Sequence, residues 1–281
     1  MTKKTLAFGA AILTYFLIVF GGYVASSESG MGCGPDWPLC NGKVIPELHG
    51  ETLIEFGHRV IGALLFILTI VLYRTIKKTS NNRIENKAAN WMLFLLSVQL
   101  IAGALIVFFE LPSLIIAIHL LIAMIFLGIL IWYWRNDGYS EKRTQNRYKW
   151  HLNTLILLLL LTMGIGAYIK HQDYGLVCGW LSCGNSILPA SLPGILQTIH
   201  RLLAIISVCY IVFITSIILA KNSRTLKIRM ILALLVAILQ IVVGIMTILS
   251  FISISLAVYH LALATLLFVI IVEARVTLPR S

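Results

Sequence analysis

Charged residues are scarce in this chain. Only 12% of its 281 residues are charged, whereas a soluble domain carries about 25%. This shortage excludes a soluble globular domain of ordinary composition. Instead, 59% of the residues are apolar and the mean hydropathy is +0.94. Eight apolar runs are long enough to cross a bilayer core of about 30 Å, at residues 6–25, 56–73, 91–109, 114–134, 151–169, 195–220, 228–249 and 253–272.

A signal-peptide pattern is also lacking. The first run follows Lys3 and Lys4, but it has no small-x-small cleavage site followed by a soluble domain, and seven further runs come after it. We therefore predict an all-α polytopic membrane protein with eight transmembrane helices. The even number of spans places both termini on the same side.

Acidic residues are few, 11 against 22 basic ones, which gives a net charge of +11. The distribution of the basic residues argues against nucleic-acid binding, since most of them lie at the N-terminus or in alternate loops. The positive-inside rule makes that face cytoplasmic and predicts an inner-membrane protein whose termini are both cytoplasmic. Eighteen of the 22 belong to this set: Lys3, Lys4, Arg74, Lys77, Lys78, Arg83, Lys87, Arg135, Lys142, Arg143, Arg147, Lys149, Lys221, Arg224, Lys227, Arg229, Arg275 and Arg280.

There are only five cysteines, and four of them lie in two loops on the opposite, outer side. Cys33 and Cys40 lie in the first outer loop, and Cys178 and Cys183 in the third. An oxidising outer compartment would let each local pair close as a disulfide. The fifth, Cys209, lies in the sixth span, and we expect it to be a small packing residue.

Polar residues of the first half recur in the second half at nearly constant offsets, which indicates an internal repeat. The matched residues form three groups. Within each group the offset between the halves is constant, and it changes by a few residues from one group to the next because the loops differ in length. The matched groups are Tyr23 and Cys33 with Tyr168 and Cys178, His58 and Arg59 with His200 and Arg201, and Gln99, Gly103 and His119 with Gln240, Gly244 and His260. We predict two tandem, pseudo-symmetric four-helix bundles, residues 1–140 and 141–281, related by an axis along the membrane normal.

Four of the seven histidines occupy equivalent positions of this repeat: His58, His119, His200 and His260. We expect the first of each pair in the first turn of helix 2 or 6, and the second about five to eight residues into helix 4 or 8, so that all four lie in the outer half of the bundles. Two imidazoles from facing helices are the axial ligands of a low-spin haem iron. The other three have no counterpart, and we assign them no role: His49, His151 and His171.

Two other interpretations of the histidines are weaker. A buried histidine that merely hydrogen-bonds a neighbour would explain one position, but not four ionisable side chains in repeated pairs inside a membrane. A zinc site lacks a third and a fourth ligand beyond Glu55. Gly57, Gly103 and Gly244 would let a flat macrocycle approach the backbone, although tight helix packing uses the same residues.

Charged residues beside the histidines differ between the halves. Glu55 precedes His58 by three residues on one helix face, and the second half has Gln197 there. A carboxylate at a haem pocket could move protons, which suggests that the first half performs the chemistry. The alternative is that Glu55 is a solvated residue near the helix N-terminus, where the helix dipole favours a negative charge. Arg59 and Arg201 could pair with haem propionates. They could equally well extend their charged ends to the membrane–water interface.

Together these segments resemble haem A synthase. The resemblance rests on the loop Gly32–Cys40 (GCGPDWPLC), the Glu55-x-x-His58-Arg59 segment, His119, the second cysteine pair, Gln197-x-x-His200-Arg201 and His260, and it covers about residues 6–275. It implies oxidation of the C8 methyl of haem O to a formyl group by successive hydroxylations, for haem-copper oxidase biogenesis.

The resemblance also implies residue roles. His58 and His119 would hold the substrate haem O, with Glu55 as the catalytic carboxylate. His200 and His260 would ligate a haem b cofactor. The disulfides Cys33–Cys40 and Cys178–Cys183 would lie on the outer face, with Cys33–Cys40 close to the substrate pocket and open to a part in the activity. Haem O synthase and a membrane electron acceptor are possible partners.

Two alternative functions remain. A di-haem b-type electron-transfer cytochrome would use four histidines, but would need neither Glu55 nor the outer cysteine pairs. A membrane thiol oxidoreductase would use the cysteines, but its redox pair is usually spaced Cys-x-x-Cys, whereas six and four residues separate the cysteines here.

Overall fold

The computed structural model describes residues 2–109, 112–136, 146–179, 183, 189, 191–221 and 224–278. Within these ranges the chain is helical and has no strand, and eight helices are long and apolar enough to span a membrane. This confirms the prediction of an all-α, multi-pass protein. The helices are α1 Lys3–Ser26, α2 Gly50–Thr79, α3 Arg83–Phe109, α4 Ser113–Arg135, α5 Asn146–His171, α6 Leu192–Lys221, α7 Arg224–Leu249 and α8 Ile254–Val276.

Most helices extend beyond their apolar runs. Helix α2 begins at Gly50 and ends at Thr79, whereas its apolar run covers only residues 56–73. Its last turn carries Lys77 and Lys78, whose charges favour the helix C-terminus through the macrodipole. Polar terminal turns therefore continue the backbone hydrogen bonding outside the apolar part, where hydropathy does not reveal it.

The chain divides into two compact units, Met1–Trp134 and Arg135–Ser281. The boundary predicted between residues 140 and 141 lies outside the described residues. Helices α6, α7 and α8 begin at nearly the same offset from α2, α3 and α4, respectively. This offset is the one found between the repeated polar residues of the same helices, so the elements repeat together with the motifs.

In the first unit, α2 packs between α1 and α3. Helix α4 joins α1 through the rings of Phe8 and Trp134, whose centroids are 4.7 Å apart. It joins α3 through the Tyr133 hydroxyl, which donates a hydrogen bond to the backbone oxygen of Glu85. These contacts connect α4 to the other three helices of the first unit.

In the second unit, neighbouring helices pack in the order α5, α6, α7, α8, and α8 packs against α5 again. The chain therefore forms a second closed four-helix bundle. After α1 and after α5 the chain turns in the same way: a residue with positive φ, Glu28 (57°) or Asp173 (54°), precedes a short 3-10 helix. These two residues have the same offset as Tyr23 and Tyr168, which extends the repeat into the loops.

The end of each unit where the first two helices are joined carries the disulfide loop, and we call it the cysteine-loop end. The most tightly packed apolar residues lie in the half of each bundle away from this end, for example Leu72, Met92 and Leu130 in the first unit and Leu155, Ile214 and Ile271 in the second. The predicted histidine ligands lie in the other half, nearer the cysteine loops.

Candidate functional site

The four repeated histidines lie at similar distances from the ends of their helices. His58 and His200 are each eight residues beyond the first residue of α2 or α6, and His119 and His260 are each six beyond that of α4 or α8. At 1.5 Å per residue these positions are about 9–12 Å along the helices. The expectation that His58 and His200 lie in first turns is wrong, because α2 and α6 begin before their apolar runs.

Each unit brings its two histidines together. The imidazoles of His58 and His119 are close enough to interact electrostatically, and so are those of His200 and His260. All four side chains are half-buried. Each unit therefore has one imidazole from its second helix and one from its fourth, at the same level of the bundle.

Hydrogen bonds to the backbone orient the first histidine of each pair. His200 Nδ1 lies 3.0 Å from the backbone oxygen of Thr162, and the His58 ring hydrogen-bonds to the backbone of Leu17, the repeat counterpart of Thr162. A carbonyl oxygen can only accept, so Nδ1 of His200 carries the proton and the lone pair of its Nε2 is left for a metal.

Glycines form the surface on which the imidazoles lie. A Cβ placed on Gly166 would be 2.7 Å from His200 Cε1, and one on Gly244 would be 2.8 Å from His260 Cε1. In the first unit, a Cβ on Gly21 would be 3.0 Å from His58 Nε2, and one on Gly103 would be 3.5 Å from His119 Cε1. A side chain at Gly166 or Gly244 would therefore displace the ring, whereas one at Gly103 would only touch it.

Sequence reasoning identified two of these glycines and missed two. Gly103 and Gly244 lie beside their histidines as expected. Gly57 does not, because its Cβ direction faces Phe20 at 3.6 Å. The missed pair, Gly21 and Gly166, has the offset shared by the tyrosines and cysteines of the repeat, and that spacing is the sequence signal that could have found it.

Glu55 is buried, with 4% of its surface exposed, so its interpretation as a solvated residue is wrong. Its Oε2 accepts a hydrogen bond of 2.8 Å from the backbone N–H of Cys33, and its Oε1 accepts from the Arg59 guanidinium. Arg59 also donates to the backbone oxygens of Asp36 and Leu39, both at 2.7 Å. Glu55 and Arg59 together attach the disulfide loop to helix α2.

Gln197 makes the corresponding attachment in the second unit without a charge. Its Oε1 accepts a hydrogen bond of 2.9 Å from the backbone N–H of Cys178, and its Nε2 donates to the backbone oxygen of Gly175. Arg201 donates to the backbone oxygen of Gly179 at 2.8 Å. An amide therefore suffices to hold this loop.

The structure joins Cys33 to Cys40 and Cys178 to Cys183. Cys33, Cys40 and Cys178 are almost completely buried. Cys209 is unpaired and exposed, so the expectation that it packs inside the bundle is wrong. Cys209 lies on the outside of α6, beside Tyr210. The hydroxyl of Tyr210 is hydrogen-bonded to His151.

The residues of each unit fit a bis-imidazole haem. Among the described residues, no group of three or more His, Cys, Asp or Glu side chains could hold a metal ion by itself. A haem supplies four ligands from its own ring, so the protein needs to add only two imidazoles. The glycines let the imidazoles lie close to the neighbouring helices, and Nδ1 of His119 and of His260 are buried without a hydrogen-bond partner in the described chain.

Comparison with known proteins gives consistent similarities along the chain. Residues 4–272 match the COX15-CtaA family, described as cytochrome oxidase assembly protein. The chain is 30% identical to a haem A synthase of Lysinibacillus sphaericus over 92% of this chain and 90% of that protein. It is 29% identical to a haem A synthase of Staphylococcus saprophyticus and 28% identical to one of Bacillus licheniformis, each over 94% of this chain and 92% of the relative.

Proposed function

The chain belongs to the COX15-CtaA family of cytochrome oxidase assembly proteins, and on that premise we propose that it is a haem A synthase. As an oxidoreductase of this kind, it oxidises the C8 methyl group of haem O to a formyl group by successive hydroxylations. The observation that carries the proposal is a pair of matched histidine sites, of which only the first has a buried carboxylate one turn from a histidine.

In this proposal the first unit holds the substrate haem O between His58 and His119. The Leu17 backbone orients His58, and Gly21 and Gly103 leave room for the imidazoles beside the helices. Holding the ring rigidly directs one methyl group to one side of the pocket, which favours a single oxidation position.

The second unit binds haem b between His200 and His260. When bound, haem b supplies one-electron transfer to or from the substrate site. The protein's own contribution is to hold the imidazoles: the Thr162 carbonyl fixes the proton of His200 on Nδ1, and Gly166 and Gly244 define where the rings lie.

Glu55 is the proposed catalytic residue. Its loop contact to Cys33 is reproduced by Gln197 with Cys178, so anchoring the loop does not require a carboxylate. Burying a charge is expensive even when it is paired, and the Glu55–Arg59 ion pair is nearly buried. A carboxylate retained at this position is suited to accepting or donating a proton during oxidation of the methyl group.

The remaining roles concern orientation and partners. We propose that the cysteine loops and haem sites face the outer side, with both termini in the cytoplasm, since basic residues accumulate at the other face. Arg59 and Arg201 then lie near the outer ends of the sites, where propionates of the haems would meet them. Haem O synthase and a membrane electron acceptor are the proposed partners.

The relatives do not favour the two alternatives. A di-haem electron-transfer cytochrome and a thiol oxidoreductase would each leave one feature unused: the carboxylate of Glu55 in the first, the histidine pairs in the second. The similarity to haem A synthases runs along both units instead.

The test is product formation. Membranes containing the protein and supplied with haem O should yield haem A, or its hydroxylated intermediate, after extraction and chromatography with mass detection. Recovery of haem B with unchanged haem O from folded protein, with an electron acceptor present, would instead favour the cytochrome.

Glu55→Gln should reduce haem A formation by about 10²-fold or more, the usual effect of losing a general acid or base. Both haems should stay bound, because Gln197 holds the equivalent loop as an amide. The matched control is Glu51→Gln, which removes an exposed carboxylate one turn earlier on α2 and should preserve turnover. Normal turnover in Glu55→Gln would reduce Glu55 to an anchor of the loop.

A further inference from the structure

Two half-buried glutamines have no role in the proposed sites. Gln99 lies on α3 and Gln240 on α7, and they are separated by the same offset as His119 and His260. The Oε1 atom of each glutamine is buried and has no hydrogen-bond partner in the described chain. Leaving a buried acceptor without a partner is unfavourable, so its repetition in both units calls for a reason.

An unpaired ring nitrogen accompanies each of these acceptors. Nδ1 of His119 and Nδ1 of His260 are also buried without a partner in the described residues. Gln240 Nε2 lies 3.3 Å from His260 Nε2. Gln99 lies one helical turn before Gly103, on the face of α3 that meets His119. Each unit therefore has an unpaired ring nitrogen and an unpaired amide oxygen in the same region.

The other histidine of each pair shows what is missing. His200 Nδ1 bonds to the backbone oxygen of Thr162, which fixes its tautomer, and the His58 ring bonds to the backbone of Leu17. The His260 ring also interacts with the backbone of Gln240, but its Nδ1 has no partner in the described residues. Histidines that ligate a metal almost always donate their second N–H to such an acceptor. For His119 and His260, the glutamine Oε1 atoms are the available side-chain acceptors.

We propose that Gln99 and Gln240 are positioning residues that accept the Nδ1–H hydrogen bond of His119 and His260 when Nε2 of each histidine binds haem iron. The inference rests on the proposed ligand sets. Iron would require the Nε2 lone pair that now faces the Gln240 amide, so the amide would leave Nε2 and its oxygen would accept the hydrogen bond from Nδ1–H. Both unpaired groups are then satisfied, and the imidazole becomes a stronger donor to iron.

The experiment measures the haem b of the purified, haem-loaded protein by redox titration of its absorption spectrum. Gln240→Leu removes the acceptor, so the imidazole donates less to iron and the midpoint potential should rise. Gln240→Glu provides a stronger acceptor, and the potential should fall. Opposite shifts of this kind are not expected from a residue that only fills space.

Gln99→Leu is the matched variant in the other unit. It should leave the potential of haem b unchanged, which also reports that the protein is folded. It should weaken retention of haem O in purified, non-turning-over protein by about 10-fold or more, the usual effect of losing such a partner. Gln99→Glu should restore retention.

Unchanged potentials in both Gln240 variants would overturn the assignment for His260. The backbone of Gln240, which also interacts with this ring, would then be the acceptor. Unchanged retention of haem O in Gln99→Leu would overturn the assignment of Gln99 as the acceptor for His119. This measurement is decisive even if the Gln240 variants do not fold. Wild-type protein that binds haem b but makes no haem A would contradict the proposed function and leave this inference standing.

Discussion

The protonation of single imidazole nitrogens determines how each unit can hold a flat ligand. His200 Nδ1 faces the Thr162 carbonyl at 3.0 Å, so this nitrogen must carry the proton and Nε2 must be the ligating atom. Such a contact also prevents the ring from rotating. An ionisable side chain that is fixed within a membrane span indicates a function.

His200→Ala and His260→Ala should each abolish the haem b absorption spectrum of the purified protein, because each removes one of the two axial ligands. The matched control is His151→Ala. His151 also lies in the second unit and hydrogen-bonds a side chain, the Tyr210 hydroxyl, at 2.6 Å, but it has no counterpart in the first unit. An undiminished spectrum in either ligand variant, or its loss in His151→Ala, would contradict the ligand assignment.

At the scale of the helices, small residues set the distance between neighbouring helices and the position of the rings. Gly21 on α1 and Gly166 on α5 face the histidines of the following helix, and Gly103 on α3 and Gly244 on α7 do the same. In a membrane bundle such contacts are usually explained by close helix packing alone. Here all four glycines meet an imidazole, so the packing also shapes the ligand site.

Gly166→Ala should lower the haem b content of the purified protein several-fold. The added Cβ would lie 2.7 Å from His200 Cε1, which displaces the ring from the Thr162 carbonyl. The helix itself should not suffer, since alanine is favoured over glycine in helices by about 0.5–1 kcal/mol. Gly9→Ala is the control, because a Cβ there meets nothing within 4 Å. Normal haem content in Gly166→Ala would show that this close contact does not position His200.

At the scale of the whole molecule, the two bundles differ in charge at a buried position beside the first histidine, Glu55 in one and Gln197 in the other. Both units keep the histidine pair, the glycine surfaces and the disulfide loop, whereas Glu55 in the first unit corresponds to Gln197 in the second. Duplication thus provides a built-in comparison: the second unit shows which contacts a neutral residue can make, and the charge of Glu55 is what remains to be explained.

The proposed orientation predicts which loops a membrane-impermeant maleimide reaches from outside intact cells. Glu47→Cys, an exposed position in the loop between α1 and α2, should be labelled, and Asn81→Cys, exposed between α2 and α3, should not. Wild-type protein is the control for the free Cys209. Labelling of Asn81→Cys but not of Glu47→Cys would show that the protein has the opposite orientation.

Much of the architecture could be predicted without coordinates. Eight apolar runs correspond to eight helices, and the resemblance to haem A synthase agrees with the family match. Helix starts were less predictable: α2 begins at Gly50, well before its apolar run, because its polar first turns carry no hydropathy signal. This error placed His58 and His200 too close to their helix ends.

The sequence by itself determined the number of spans, the duplication and the identity of the four repeated histidines. Membrane thickness sets the length of the apolar runs. Because ionisable residues are costly inside a membrane, the few that occur within spans stand out in the sequence. The tertiary structure alone decided that Glu55 is buried against Cys33, that Gly21 rather than Gly57 faces His58, and that Cys209 lies on the outside. These facts depend on the rotation of each helix and the path of the cysteine loops, which bring together residues that are far apart in the chain.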